Sequence, residues 1–154
     1  MQTVAELAAS IASPDVRDIF RHMLADPFAP HYRDALTVWR PRLQQYYAAA
    51  FAAQRLDALL FPTTRLAAVP LDEINGSSVV SVNGSALDTM SAYLRNTEPS
   101  ASAGLPGLSL PAGLTADGLP VGIELDGPVG SDRRLLAIGI ACENLLGVLA
   151  PPTI

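Results

Sequence analysis

The sequence offers few side chains able to do covalent chemistry. All ten basic residues are arginines, so no lysine is present to act as an amine base or nucleophile. The two histidines, His22 and His31, lie nine positions apart. Prolines separate them and no cysteine sits at ligand spacing, so they make no metal site. Cys142 is the single cysteine, which excludes an intrachain disulfide and fits a reducing compartment. It falls on an apolar helical stripe, where a thiol is buried and inert. No G-x-S-x-G elbow presents a serine nucleophile. Gly127 and Gly130 superficially resemble a phosphate-binding turn ahead of a helix. Neither phosphate-loop pattern is present, however, and Pro128 removes an N–H that such a cradle would use. The carboxylates Asp72/Glu73 and Glu124/Asp126 are adjacent in strands or turns, and nothing in the sequence sets them facing across a cleft. Residue types alone therefore define no self-sufficient active site.

The elements that would position these groups begin with helices. Residues 4–11 are a short apolar stretch closed by Ser13-Pro14. Ser13 suits an N-cap, Pro14 the first helical position, and Asp15 and Asp18 the N-terminal end. Val16, Ile19, Phe20, Met23 and Leu24 then recur at helical spacing, with Pro27 and Pro30 expected to end the helix. A longer helix is predicted over 31–55, where Leu36, Trp39, Leu43, Tyr46, Tyr47, Ala50 and Phe51 keep the same period. Pro41 should kink it or restart it near Arg40.

Residues 56–62 have the short apolar run of a buried strand stopped by proline. Asn75-Gly76 and Asn83-Gly84 are strong turn signals. The second suits a two-residue type I′ hairpin between β-prone residues 77–82 and 85–89. Residues 95–104 are small, polar and punctuated, and are expected to form a constrained loop. Further strands are predicted over 107–111 and 121–125, with a turn at 112–118 between them. The final helix starts at Ser131 with Asp132 in its first turn and should bury Leu135, Leu136, Ile138, Gly139, Ala141, Cys142 and Leu145.

Helices alternating with short strands make the class α/β. With 154 residues, 49% of them apolar and 16% charged, the expectation is one globular domain over 1–154. It is helical over 1–55 and built of strands and helices over 56–154. The net charge of −5 is thinly spread, and scattered basic residues give no footprint for nucleic acid. No window approaches the roughly 18 apolar residues a membrane span needs. The N-terminus lacks a basic segment ahead of an apolar core, so a cytoplasmic location is expected.

Several segments, in this order, resemble the late part of the amidase-signature enzymes. Residues 56–63, Leu-Asp-Ala-Leu-Leu-Phe-Pro-Thr, are similar to the family's D-x-L-L-x-P-T strand. Thr97-x-Pro99, the run from Gly104 to Gly113, and the run from Asp117 to Leu125 follow, then Asp132 with Leu135-Leu136, and finally Glu143. Within the family the 95–97 junction and Gly104-Leu105-Pro106-Gly107 look most like mandelamide and indoleacetamide hydrolases.

The resemblance implies a partial mixed sheet flanked by helices and hydrolysis of a carboxamide to acid and ammonia. It also implies a serine nucleophile, a bridging serine on a cis peptide and a lysine base. These belong to an N-terminal portion with a Gly/Ser-rich GGSSGG stretch, which this sequence does not contain. The resemblance therefore assigns no catalytic residue here and no cofactor or metal, and the chain is expected to be inactive alone. Many relatives carry Asn two residues after the Thr-x-Pro proline, where this chain has Ala101 followed by Ser102.

What this portion can supply is a substrate-pocket wall at the end of an element, where binding groups collect. Leu94 could pack on an aromatic ring and Asn96 could hydrogen-bond a polar substrate group, beside Thr97. Alternatively, Asn96 and Thr97 satisfy the backbone of a turn. Arg95 could neutralise a carboxylate product or pair with Glu98. A small amide is the expected substrate once the catalytic portion is present. Bared sheet edges should otherwise bring a second copy or a partner chain. The alternative function is a non-catalytic self-association or partner-binding module derived from an amidase.

Overall fold

A computed structural model describes residues 3–25, 29–70, 79–147 and 149–150. The expected turn at Asn75-Gly76 and the Asp72/Glu73 carboxylates lie outside these residues, as does Pro27. Helix α1 (Val4–Ser10) opens with a capping box: the Thr3 hydroxyl accepts from the Glu6 amide, and the Glu6 carboxylate accepts from the Thr3 amide. Helix α2 (Pro14–Leu24) has Ser13 at its N-cap position and proline in its first turn. Its apolar face is patterned for burial, yet Val16, Ile19, Met23 and Leu24 are all exposed.

The long helical run is continuous but internally irregular. Helix α3 (Ala29–Asp34) leads into a π-helical turn, Ala35–Trp39, and then helix α4 (Arg40–Gln54). Pro30 therefore lies inside the first turn of α3 and does not end a helix, because the N–H it lacks has no helical partner there. The effect expected of Pro41 appears as the π turn just before it, where the Arg40 amide reaches back to the Ala35 carbonyl. Widening the turn relieves the proline ring's conflict with the preceding carbonyls. Helix α4 ends on Arg55 in the left-handed region, with the Leu56 amide donating to the Phe51 carbonyl at 3.0 Å, a Schellman closure.

The three-stranded sheet among the described residues has the order β1-β5-β4, with β1 at Leu59–Pro62, β4 at Gly107–Leu114 and β5 at Pro120–Asp126. Both ladders are antiparallel. Among the described residues β1 and β4 each pair on one side only, so both present edges. That explains how Pro111 is held inside β4: at a sheet edge its missing N–H costs no ladder bond. β4 runs on to Leu114 through a bulge between Pro111 and Gly113, so the segment predicted as a turn begins as strand. The turn proper is tighter, with the Thr115 amide donating to the Leu119 carbonyl at 2.8 Å. A separate hairpin, β2 (Val79–Val82) and β3 (Ser85–Asp88), turns at Asn83 and Gly84, both at positive φ, the geometry a type I′ turn demands.

Two helical layers cover the larger sheet. Helix α7 (Asp132–Leu146) packs on one face, where Leu110, Leu125 and Leu135 form a buried cluster with Leu108, Ile123, Ile138 and half-buried Cys142 beside it. Gly139 makes this approach possible, since a Cβ there would overlap the Leu108 side chain. Of the residues expected to be buried in α7, Leu136, Ala141 and Leu145 are exposed, Leu145 by 87%. The sheet meets one narrow stripe of the helix, and no described residue covers the next stripe. On the opposite face α4 and α6 (Glu98–Ala103) pack together over one end of the sheet, with Phe51, Ala103 and Leu105 at the centre.

The accessible surface is 11349 Å², whereas a compact protein of 16.2 kDa exposes about 7,500 Å². The excess is consistent with exposed Leu60, Val129, Leu136 and Ile140. No described helix is long and apolar enough to cross a membrane.

Candidate functional site

The predicted pocket-wall residues sit on the connection between α5 (Thr89–Leu94) and α6. Helix α5 begins at Asp88, whose carboxylate accepts from the Ser91 amide at 2.8 Å. That capping bond holds the Asp88 carboxyl below the usual carboxylate range. Leu94 is the last residue of α5 and is exposed. The chain then turns tightly, with the Thr97 amide donating to the Leu94 carbonyl at 3.1 Å, and re-enters a helix at Glu98. Part of the expected loop is therefore α6. It closes on Gly104 in the left-handed region, with the Leu105 amide donating to the Ser100 carbonyl.

Asn96 is half-buried, and its amide nitrogen donates to the Pro62 carbonyl at 2.7 Å. This bond ties the turn to the end of β1 and leaves the side-chain oxygen to accept from another group. The Thr97 hydroxyl turns back to the Leu94 carbonyl at 3.3 Å. Ser91, Arg95, Asn96, Glu98 and Pro99 line an open cleft of about 420 Å³. Leu94 and Thr97 flank this lining without belonging to it. Arg95 and Glu98 supply one charge of each sign to the same cleft.

A second polar cluster on the sheet includes the Glu124/Asp126 carboxylates, whose facing was not apparent from the sequence. Glu124 and Asp126, two apart on β5, share the face opposite α7. Gly107 stands directly opposite Asp126 on β4. A Cβ at Gly107 would come within 3.0 Å of Glu124 Oε1 and 3.1 Å of Asp126 Oδ1, so both carboxylates lean over the bare glycine. Further along the face the Thr63 and Ser109 hydroxyls meet at 2.6 Å across Gly122. Burial raises the Glu124 carboxyl above its ordinary value, and Asp126 raises it further when ionised, with the Thr63 hydroxyl partly offsetting both.

At the β5–α7 connection, the Gly127 amide donates to the Pro106 carbonyl at 2.9 Å and the Ser131 amide to Pro128 at 3.0 Å. These bonds belong to a compact crossover and leave those amides spent.

The fold and the sequence together define the class. The amidase family profile matches residues 2–136, and the chain belongs to that family. Among its curated relatives is an indoleacetamide hydrolase of Agrobacterium vitis, 46% identical over 155 residues, covering 97% of this chain and 32% of that protein. A mandelamide hydrolase of Pseudomonas putida is 36% identical, covering 96% of this chain and 30% of that protein. A crystal structure of an amidase superposes with a TM-score of 0.75 at 33% identity, over 88% of this chain and 29% of that one. The chain thus spans about a third of the length of the curated relatives it matches.

Proposed function

We propose that this chain is the C-terminal part of an amide hydrolase of the aryl-acetamide or mandelamide type, supplying sheet strands and one wall of the substrate pocket. The observation that carries this reading is the match of nearly the whole chain to under a third of each hydrolase. The chain contains no lysine, so the serine-serine-lysine machinery implied by the resemblance has to come from elsewhere. Serine attack on the amide carbonyl would give an acyl-enzyme and release ammonia, and water would then free the acid. In that enzyme Leu94 packs on the aromatic ring, while Asn96 and Thr97 shape the wall beside it. Asn96 does so from a position fixed by its bond to β1.

The edges of β1 and β4 and the apolar outer stripe of α7 are the surfaces the rest of the enzyme covers. A second copy or partner chain takes them in its absence. The test is amide turnover by the chain alone and by the chain combined with a catalytic portion from a relative. Turnover is expected in the second case and not in the first.

A further inference from the structure

Asp126 is 1% exposed, and among the described residues neither of its carboxylate oxygens has a hydrogen-bond partner. It lies on β5 between Leu59 of β1 and Gly107 of β4, on the face covered by α4 and α6. Among the described residues, Tyr47 of α4 and Ser100 of α6 are the polar groups that reach it from those helices, and Glu124 is its neighbour on β5. None of these is a cation. The Ser100 hydroxyl is close enough to moderate the carboxyl, but it donates to the Thr97 carbonyl at 3.1 Å. An ionised carboxylate shut from water without a donor or a counter-charge takes a proton instead.

We propose that Asp126 is a proton-operated latch: it must be neutral for α4 and α6 to close on the sheet, and its ionisation loosens α6 and the turn that α6 carries. The coupling to the candidate site is covalent and short. Thr97 is the N-cap of α6, Ser100 lies one turn further on, and Asn96 precedes both.

Burial raises the Asp126 carboxyl above its ordinary value, with Ser100 only partly offsetting it. Burial of the phenol raises Tyr47, and the Asp126 carboxylate raises it further once ionised. A raised folded-state value fixes the sign. The stability contributed by Asp126 is complete below the ordinary aspartate value and is lost as pH rises through the folded-state value.

The experiment is urea unfolding of the chain and of Asp126→Asn, from about pH 4 to about pH 9. The unmodified chain should lose midpoint as pH rises, and Asp126→Asn should flatten that fall. Equal pH dependence in the two would overturn the latch. Should Asp126→Asn not fold, the unmodified chain decides by carbon-13 titration of the Asp126 carboxyl, read with the amide signals of α6. A raised midpoint shared by Ser100, Ala101 and Gly104 supports the proposal. An ordinary aspartate midpoint, or α6 amides that ignore it, overturns it.

Discussion

Replacing Asn96 separates a structural role from a substrate contact, because no substrate is needed to read it. Its amide donates to the Pro62 carbonyl at 2.7 Å from a half-buried position. A net intramolecular hydrogen bond contributes about 0.5–1.5 kcal/mol, and stranding a buried acceptor costs about 1–3 kcal/mol. Pro62 ends an edge strand, where water can partly replace the donor, so Asn96→Ala should cost about 1 kcal/mol. Asn96→Asp should cost more, since it sets a second acceptor against the carbonyl. With a urea slope of about 2 kcal/mol per molar, the alanine variant's midpoint should fall by roughly half a molar. The assay is urea unfolding followed by circular dichroism without ligand. An alanine variant with the parent midpoint, or an aspartate variant more stable than alanine, would refute the anchoring role.

Two further outcomes follow from the same geometry. Leu125 is buried between Leu110 and Leu135, so Leu125→Ala should destabilise the chain by about 2–5 kcal/mol, measured by the same unfolding assay. Leu94 is exposed beside the candidate cleft, so Leu94→Asn in the completed enzyme should change relative kcat/KM across a series of aryl amides. An unchanged ranking would remove Leu94 from the pocket wall.

Elements whose stabilisation is local were legible in the sequence. Helix α2 and the helical run through α4 follow from apolar spacing, and the β2–β3 hairpin follows from Asn83-Gly84. Helix α6 did not show. Its residues, Glu-Pro-Ser-Ala-Ser-Ala, have no apolar period, and what holds them is tertiary. Ala103 is buried against Phe51 and Leu105, and Gln44 of α4 donates to the Ala103 carbonyl at 2.8 Å. The length of β4 was hidden by Pro111, which only its place at a sheet edge makes harmless.

The candidate turn was legible as Leu94, Asn96 and Thr97, but the partner of Asn96 lies 34 positions away on β1. The Glu124/Asp126 pair was visible as residues and not as a pair facing α4. Recognising it requires knowing that Gly107 lies opposite on the neighbouring strand. The exposed stripes of α2 and α7 show the limit of periodicity: it predicts a face fit for burial, and it does not say what covers that face.

Hydrolysis of mandelamide and indole-3-acetamide tests the central claim most directly, with the purified chain compared against the chain co-expressed with the catalytic portion of an indoleacetamide hydrolase. The account predicts no ammonia release above buffer from the chain alone and clear release from the combination. Turnover by the chain alone that survives removal of contaminating enzymes, or a folded combination that stays inactive, would contradict it.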